Sequence, residues 1–162
     1  MTGSRIIDLP DEAATLAFGQ RLASILEPGL LVTLSGTLGA GKTTLARGIL
    51  RGLGYPGKVK SPTYTLAEPY EVMLAGRMVT VIHFDLYRMA SPEEFLDAGF
   101  REHFNENSVC IVEWPEKGDP VLPPPDIHVN LSLAGDGRDV ELRALSDKGH
   151  QCLARLKFAP NL

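Results

Sequence analysis

Residues 33 to 44 read TLSGTLGAGKTT. A glycine, four residues and then Gly-Lys-Thr is the Walker A spacing, carried here by Gly36, Gly41, Lys42 and Thr43. In such a loop the backbone of Gly36, Thr37, Leu38, Gly39, Ala40 and Gly41, with Thr44 just beyond, wraps phosphates. Lys42 reaches the β- and γ-oxygens, and the Thr43 hydroxyl is the expected ligand of Mg²⁺.

The flanking sequence supplies the setting this motif needs. LLVTLS (30–35) reads as a buried strand, and TTLARGILRGL continues as a helix whose stop is Gly54. Strand, glycine-rich turn and helix N-terminus together attract phosphate, because the first amides of the helix are free and its dipole is positive at that end.

Further out, elements alternate. Asp11 is an expected N-cap, and Leu16, Leu22, Ala23, Ile25 and Leu26 recur at helical spacing until Pro28-Gly29. VTVIHF (79–84) and VCIV (109–112) are short apolar runs, each followed by a carboxylate, Asp85 and Glu113. Between them, Ser91-Pro92-Glu93-Glu94 combines a capping box with a proline at the first helical position, so a helix is predicted from about Pro92. After Pro120, PVLPPPD is a stiff connector. IHVNLSL and VELRAL then alternate around AGDGRD as a hairpin with a glycine-rich turn, and DKGHQCLARLKF reads as a terminal helix.

This order predicts one domain over residues 1–162: a three-layer α/β fold of the P-loop NTPase type, its sheet largely parallel and made mixed by the late β-hairpin.

Composition limits the function. Sixteen Lys and Arg stand against 20 Asp and Glu, a formal charge of -4, with no basic block. A chain that grips nucleic acid unaided usually carries a basic face, so tight direct RNA or DNA binding is not expected. Cys110 and Cys152 are far apart, and the histidines at 83, 103, 128 and 150 are scattered, which reads as buried or idle thiols without a metal cluster. No stretch has the length of a signal peptide or a membrane span, so a cytoplasmic protein is expected.

Phosphoryl chemistry also needs a carboxylate near the metal, normally at the end of a neighbouring strand, and a group that orients the attacking oxygen. Asp85 and Glu113 are the two candidates, and spacing alone leaves their roles open. KSPTYTLAEPY (60–70) reads either as a loop leading into an edge strand or as a switch loop that senses a γ-phosphate. Trp114, the single tryptophan, either packs on the sheet edge or serves the site, and Arg138 falls in the hairpin turn. A small-molecule kinase would share the P-loop, although no Arg-rich lid is evident. A non-catalytic nucleotide-dependent interaction module would lack a use for two strand-end carboxylates.

GTLGAGKTT, SPTYTLAEPY, HFDLYRMASPEEFLDAGF and VCIVEWPEKG, in this order, resemble the TsaE (YjeE) family of bacterial ATPases, from about Leu9 to the terminal helix. The resemblance implies ATP hydrolysis, with ATP/ADP and Mg²⁺ bound, in making threonylcarbamoyladenosine (t6A) at the tRNA adenosine next to the anticodon. It implies TsaB and TsaD as partners, tRNA being reached through that complex. Thr43 and Glu113 match the family's Mg²⁺ ligands, Asp85 its catalytic or water-positioning carboxylate, and Ser61-Pro62-Thr63 its switch loop. Trp114 matches the Trp beside the nucleotide, Arg138 a nucleotide-contacting Arg, and Thr15 a Thr near the base. Thr37 departs from the family, whose members commonly carry Asp there; the cradle survives, since that position offers mainly its backbone. With no substrate-binding domain evident, slow turnover is expected of the isolated chain, with hydrolysis resetting the assembly.

Overall fold

The computed structural model describes residues 4–60, 62 and 66–156. Among these, seven strands form one sheet in the order β1-β7-β6-β2-β5-β4-β3. They are β1 (Ser4–Leu9), β2 (Leu31–Ser35), β3 (Ala67–Leu74), β4 (Arg77–Asp85), β5 (Ser108–Glu113), β6 (Ile127–Ala134) and β7 (Gly137–Ala144). The helices are α1 (Glu12–Ala23), α2 (Lys42–Gly52), α3 (Glu93–Asp97) and α4 (Asp147–Ala154).

The sheet is more mixed than predicted. β6, β2, β5 and β4 run parallel in its centre, whereas β1–β7, β6–β7 and β3–β4 pair antiparallel. Two elements account for the difference. RIIDL, which lies between Gly3 and Pro10, lines up along β7 as an edge strand. VMLAGRMV closes a hairpin whose two-residue turn holds Ala75 and Gly76 at positive φ, the geometry that matches strand twist. The late hairpin forms as predicted, but its turn is confined to Gly135 and Asp136, so Arg138 lies on β7 and not in the turn.

Strand alternation sorts the core into two layers. Val32 and Leu34 of β2, Val79 and Val81 of β4, and Val109 and Ile111 of β5 face α1, α2 and α4. Leu31, Ile82, Phe84, Cys110 and Val112 face the other way, under α3 and a 3₁₀ turn at Phe100–His103. There Phe84 meets Phe95, Phe100 and Phe104 with ring centroids 5.9, 5.2 and 5.5 Å away.

α1 and α2 pack on glycine. A Cβ on Gly19 would stand 2.7 Å from the Leu45 carbonyl oxygen, and one on Gly48 2.5 Å from that of Leu16. That close approach brings the start of α1 beside the phosphate-loop end of α2.

Helix ends follow the capping chemistry with two exceptions. Asp11 caps α1 through Ala14 N–H at 2.8 Å, as predicted, yet α1 stops at Ala23, and Ile25 and Leu26 are buried in the turn that follows. α3 has only five residues and its cap makes no side-chain hydrogen bond; the Glu94 carboxylate instead accepts from Ala90 N–H at 3.1 Å. α4 is capped by Ser146, which accepts from Gly149 N–H at 2.9 Å.

Ser61 and Thr63 lie outside the described residues, and Pro62 between them is buried. The segment does lead into an edge strand, β3. Both thiols are free and buried, and burial alone pushes Cys110 up to about 12. Among the described residues, no helix is long and apolar enough to cross a membrane.

Candidate functional site

The site forms where three parallel strands end against the start of α2. Gly41, at φ 101°, caps that helix without a side-chain hydrogen bond, and no acidic residue occupies its first turn. The N–H groups of Lys42, Thr43 and Thr44 therefore receive no side-chain cap among the described residues and lie at the positive end of the helix dipole. Gly36, at φ 144°, passes so close to the Leu131 carbonyl that a Cβ would collide with it.

Lys42 is buried, and its ammonium donates to the carbonyls of Gly36 at 2.6 Å and Thr37 at 2.9 Å. Among the described residues, one of its three donors has no hydrogen-bond acceptor. The same nitrogen sits 4.3 Å from the centre of the Trp114 ring, a cation–π contact. Burial lowers the Lys42 pKa, opposed by the carboxylates of Glu113, Asp85 and Glu116.

The two strand-end carboxylates are register partners, Asp85 of β4 against Glu113 of β5. Glu113 is 2% exposed, and both of its oxygens lie 3.1 Å from the Thr43 hydroxyl. Asp85 accepts the Tyr87 N–H at 3.1 Å. Burial raises its pKa first of all; the Tyr87 N–H lowers it, Glu113 raises it further, and His83 and Lys42 lower it.

Sequence reasoning grouped His83 with the scattered histidines. It is fully buried on β4, and its Nε2 lies 2.6 Å from Glu113 Oε2. The signal was present in HFD: in a strand, His83 and Asp85 share a face, the one that looks toward α2. Tyr87 was also missed; its ring lies 4.8 Å from that of Trp114, where it lines the cavity.

A cavity of about 470 Å³ runs from these groups to the start of α1. It joins Lys42, Thr43, Thr44, Asp85, Glu113 and Trp114 to Thr15 and Arg138, together with Leu38, Gly39 and Gly41. Thr15 is buried, and its hydroxyl turns back onto the Asp11 carbonyl at 3.4 Å. Arg138 donates from Nε to Ala40 O and from Nη2 to Gly39 O, both at 2.9 Å, and so ties the start of β7 to the loop. Thr37 is exposed, and its carbonyl, which takes Lys42, is its contribution to the loop.

The donor set fits a hard divalent cation. A magnesium site is typically built from one or two carboxylates and substrate phosphates, with water, and not from a protein cage. Adjacent ligands of an octahedral Mg²⁺ stand about 2.9 Å apart, close to the 3.1 Å between Thr43 and Glu113.

A mixed sheet with a glycine-rich loop between β2 and α2 and two strand-end carboxylates defines a P-loop NTPase-like protein. The crystal structure of Bacillus subtilis YdiB superposes with a TM-score of 0.77 and 28% identity, over 96% of this chain and 95% of that one.

The chain belongs to the TsaE family: the family model described as threonylcarbamoyl adenosine biosynthesis protein TsaE matches residues 9–140. It is similar to the tRNA threonylcarbamoyladenosine biosynthesis protein TsaE of Haemophilus influenzae, 48% identical over 90% of this chain and 93% of that protein. It is likewise similar to the protein of the same name from Bacillus subtilis, 35% identical over 94% of this chain and 92% of that one.

Proposed function

We propose that this chain is a Mg²⁺-dependent ATP hydrolase of low intrinsic activity that serves threonylcarbamoyladenosine formation at the tRNA adenosine next to the anticodon. The observation that carries this reading is the convergence of Lys42, Thr43, Glu113 and Asp85 at the N-terminus of α2.

In this reading the α2 amides and the remaining donor of Lys42 hold the phosphates, with Trp114 beneath the ammonium. Thr43 and Glu113 hold Mg²⁺, which when bound neutralises charge on the phosphate oxygens. Asp85 orients the attacking water and takes its proton as the water oxygen bonds to the γ-phosphorus and the bond to the β-phosphate oxygen breaks. Its raised pKa suits that task. Arg138 braces Gly39 and Ala40, and Thr15 lines the end of the cavity assigned to the base.

TsaB and TsaD are the proposed partners, and the Ser61-Pro62-Thr63 segment is the proposed sensor of ATP against ADP. The acidic balance of the chain supports contact with tRNA through that assembly rather than directly. Hydrolysis resets the complex only if its ATP and ADP states bind the partners with different affinity. The test is phosphate release by the chain alone and with TsaB, TsaD and tRNA, alongside partner capture in an ATP analogue and in ADP. Slow release accelerated by the partners is expected; equal turnover and equal capture would overturn the coupling.

A further inference from the structure

We propose that His83 is a positioning residue that holds Glu113 in its metal-binding orientation; this rests on the function proposed above. A glutamate side chain has three rotatable bonds, and Glu113 is the last residue of β5, so its backbone fixes where the carboxylate begins but not where it ends. The His83 ring fixes the end. A carboxylate accepts hydrogen bonds, and the His83 tautomer with its proton on Nε2 donates to Oε2 across 2.6 Å.

That bond divides the labour of the two oxygens. Both oxygens lie 3.1 Å from the Thr43 hydroxyl, but Oε2 is also engaged by the imidazole, which leaves Oε1 as the oxygen with more capacity for a cation. His83 and Glu113 lie on neighbouring parallel strands, two register positions apart on the same sheet face. The backbone ladder itself therefore sets the distance between them.

His83 is not explained by packing. It is 0% exposed, at the point where this face passes from Val79, Val81, Val109 and Ile111 to Asp85 and Glu113, and an aliphatic side chain there would still serve the core. Its Nδ1 is buried with no hydrogen-bond partner among the described residues, a cost that an aliphatic residue would not incur. The retained benefit is at Nε2. Hydrogen-bond partners that orient metal ligands typically contribute on the order of 10- to 100-fold to metal affinity.

The test is calorimetric binding of ADP to the wild type, His83→Phe, His83→Gln and His83→Asn, in EDTA and across a Mg²⁺ titration. The Gln amide nitrogen reaches the place of Nε2 and the Asn amide that of Nδ1, so the pair separates a donor at the carboxylate from a polar group of similar bulk. Expected is unchanged ADP affinity in EDTA for all four chains. The Mg²⁺ concentration for half-maximal enhancement should rise on the order of 10- to 100-fold in the Phe and Asn variants and recover in the Gln variant. If the Phe variant does not fold, the Gln and Asn variants make the same comparison. Equal Mg²⁺ response in Gln and Asn, or an affinity loss already complete in EDTA, would overturn the positioning role. A wild type that binds no ADP in EDTA would instead overturn the proposed phosphate site.

Discussion

β4 and β5 each have two faces, and the two faces end differently. On the side toward α2, Val79 and Val81 give way to His83 and Asp85, and Val109 and Ile111 to Glu113. On the other side Ile82 and Phe84, with Cys110 and Val112, stay apolar to the strand ends under a roof of phenylalanines. The same two strands thus carry ionisable groups on one face and an apolar anchor on the other. Alternation with a period of two makes this division available at no cost in chain length. It also means that substitutions one residue apart, at 84 and at 85, should act on different quantities.

The largest effect expected is at Asp85. Asp85→Asn should leave nucleotide affinity in place and cut turnover on the order of 100- to 10,000-fold, since a proton-accepting group acts mainly in the transition state. Paired binding and single-turnover measurements check this; weakened binding with normal turnover would exchange its role with that of Glu113.

Phe84→Ala breaks the opposite face. Truncating a fully buried phenylalanine in an aromatic cluster should cost about 3–5 kcal/mol of stability. Denaturant melts should register that loss while folded protein below the transition keeps its ATP affinity. A variant that melts normally but loses ATP would show that the faces are not separable.

Glu113→Gln should keep metal-free nucleotide affinity and raise the Mg²⁺ requirement roughly 10- to 100-fold, comparable to the loss of a ligand's support. A Mg²⁺ titration of turnover reads the shift directly.

The smallest effect is in pH dependence. Asp85 has its folded pKa raised above 3.8, chiefly by burial, so the folded state binds the proton more tightly than the unfolded chain. Stability therefore falls as pH rises from about 3.8 through the raised value, and is level above it. Asp85→Asn should abolish that decline in thermal melts. The acid limb of turnover in the wild type should fall at the raised value, because only the ionised carboxylate accepts a proton.

The comparison also explains what the sequence made legible. The glycine-rich loop from Gly36 to Thr43 and its place between β2 and α2 were readable because they are local, set by spacing along the chain. Asp85 and Glu113 were readable as strand-end carboxylates, but their separate roles were not, because these depend on which side chains meet across β4 and β5. His83 was hidden for the same reason: its partner is 30 residues away and only register brings them together. β1 and the β3–β4 hairpin went unread although Gly3 and Pro10 bracket RIIDL and Ala75-Gly76 turns VMLAGRMV; the strands on either side are held by pairing with neighbours that the linear sequence does not display. α1 was read too long because apolar spacing continues into a buried turn that is no longer helical.

The assignment of phosphate binding to the α2 end is tested most directly by the fluorescence of Trp114. It is the only tryptophan in the chain, and its ring lies 4.3 Å from the Lys42 ammonium. ATP titrated into the wild type should give a saturable change in emission. In Lys42→Ala, loss of hydrogen bonds to a charged ligand should weaken the apparent affinity roughly 100-fold, or about 3 kcal/mol. A wild type whose emission ignores ATP at concentrations where it binds, or a Lys42→Ala chain that titrates like the wild type, would contradict the assignment.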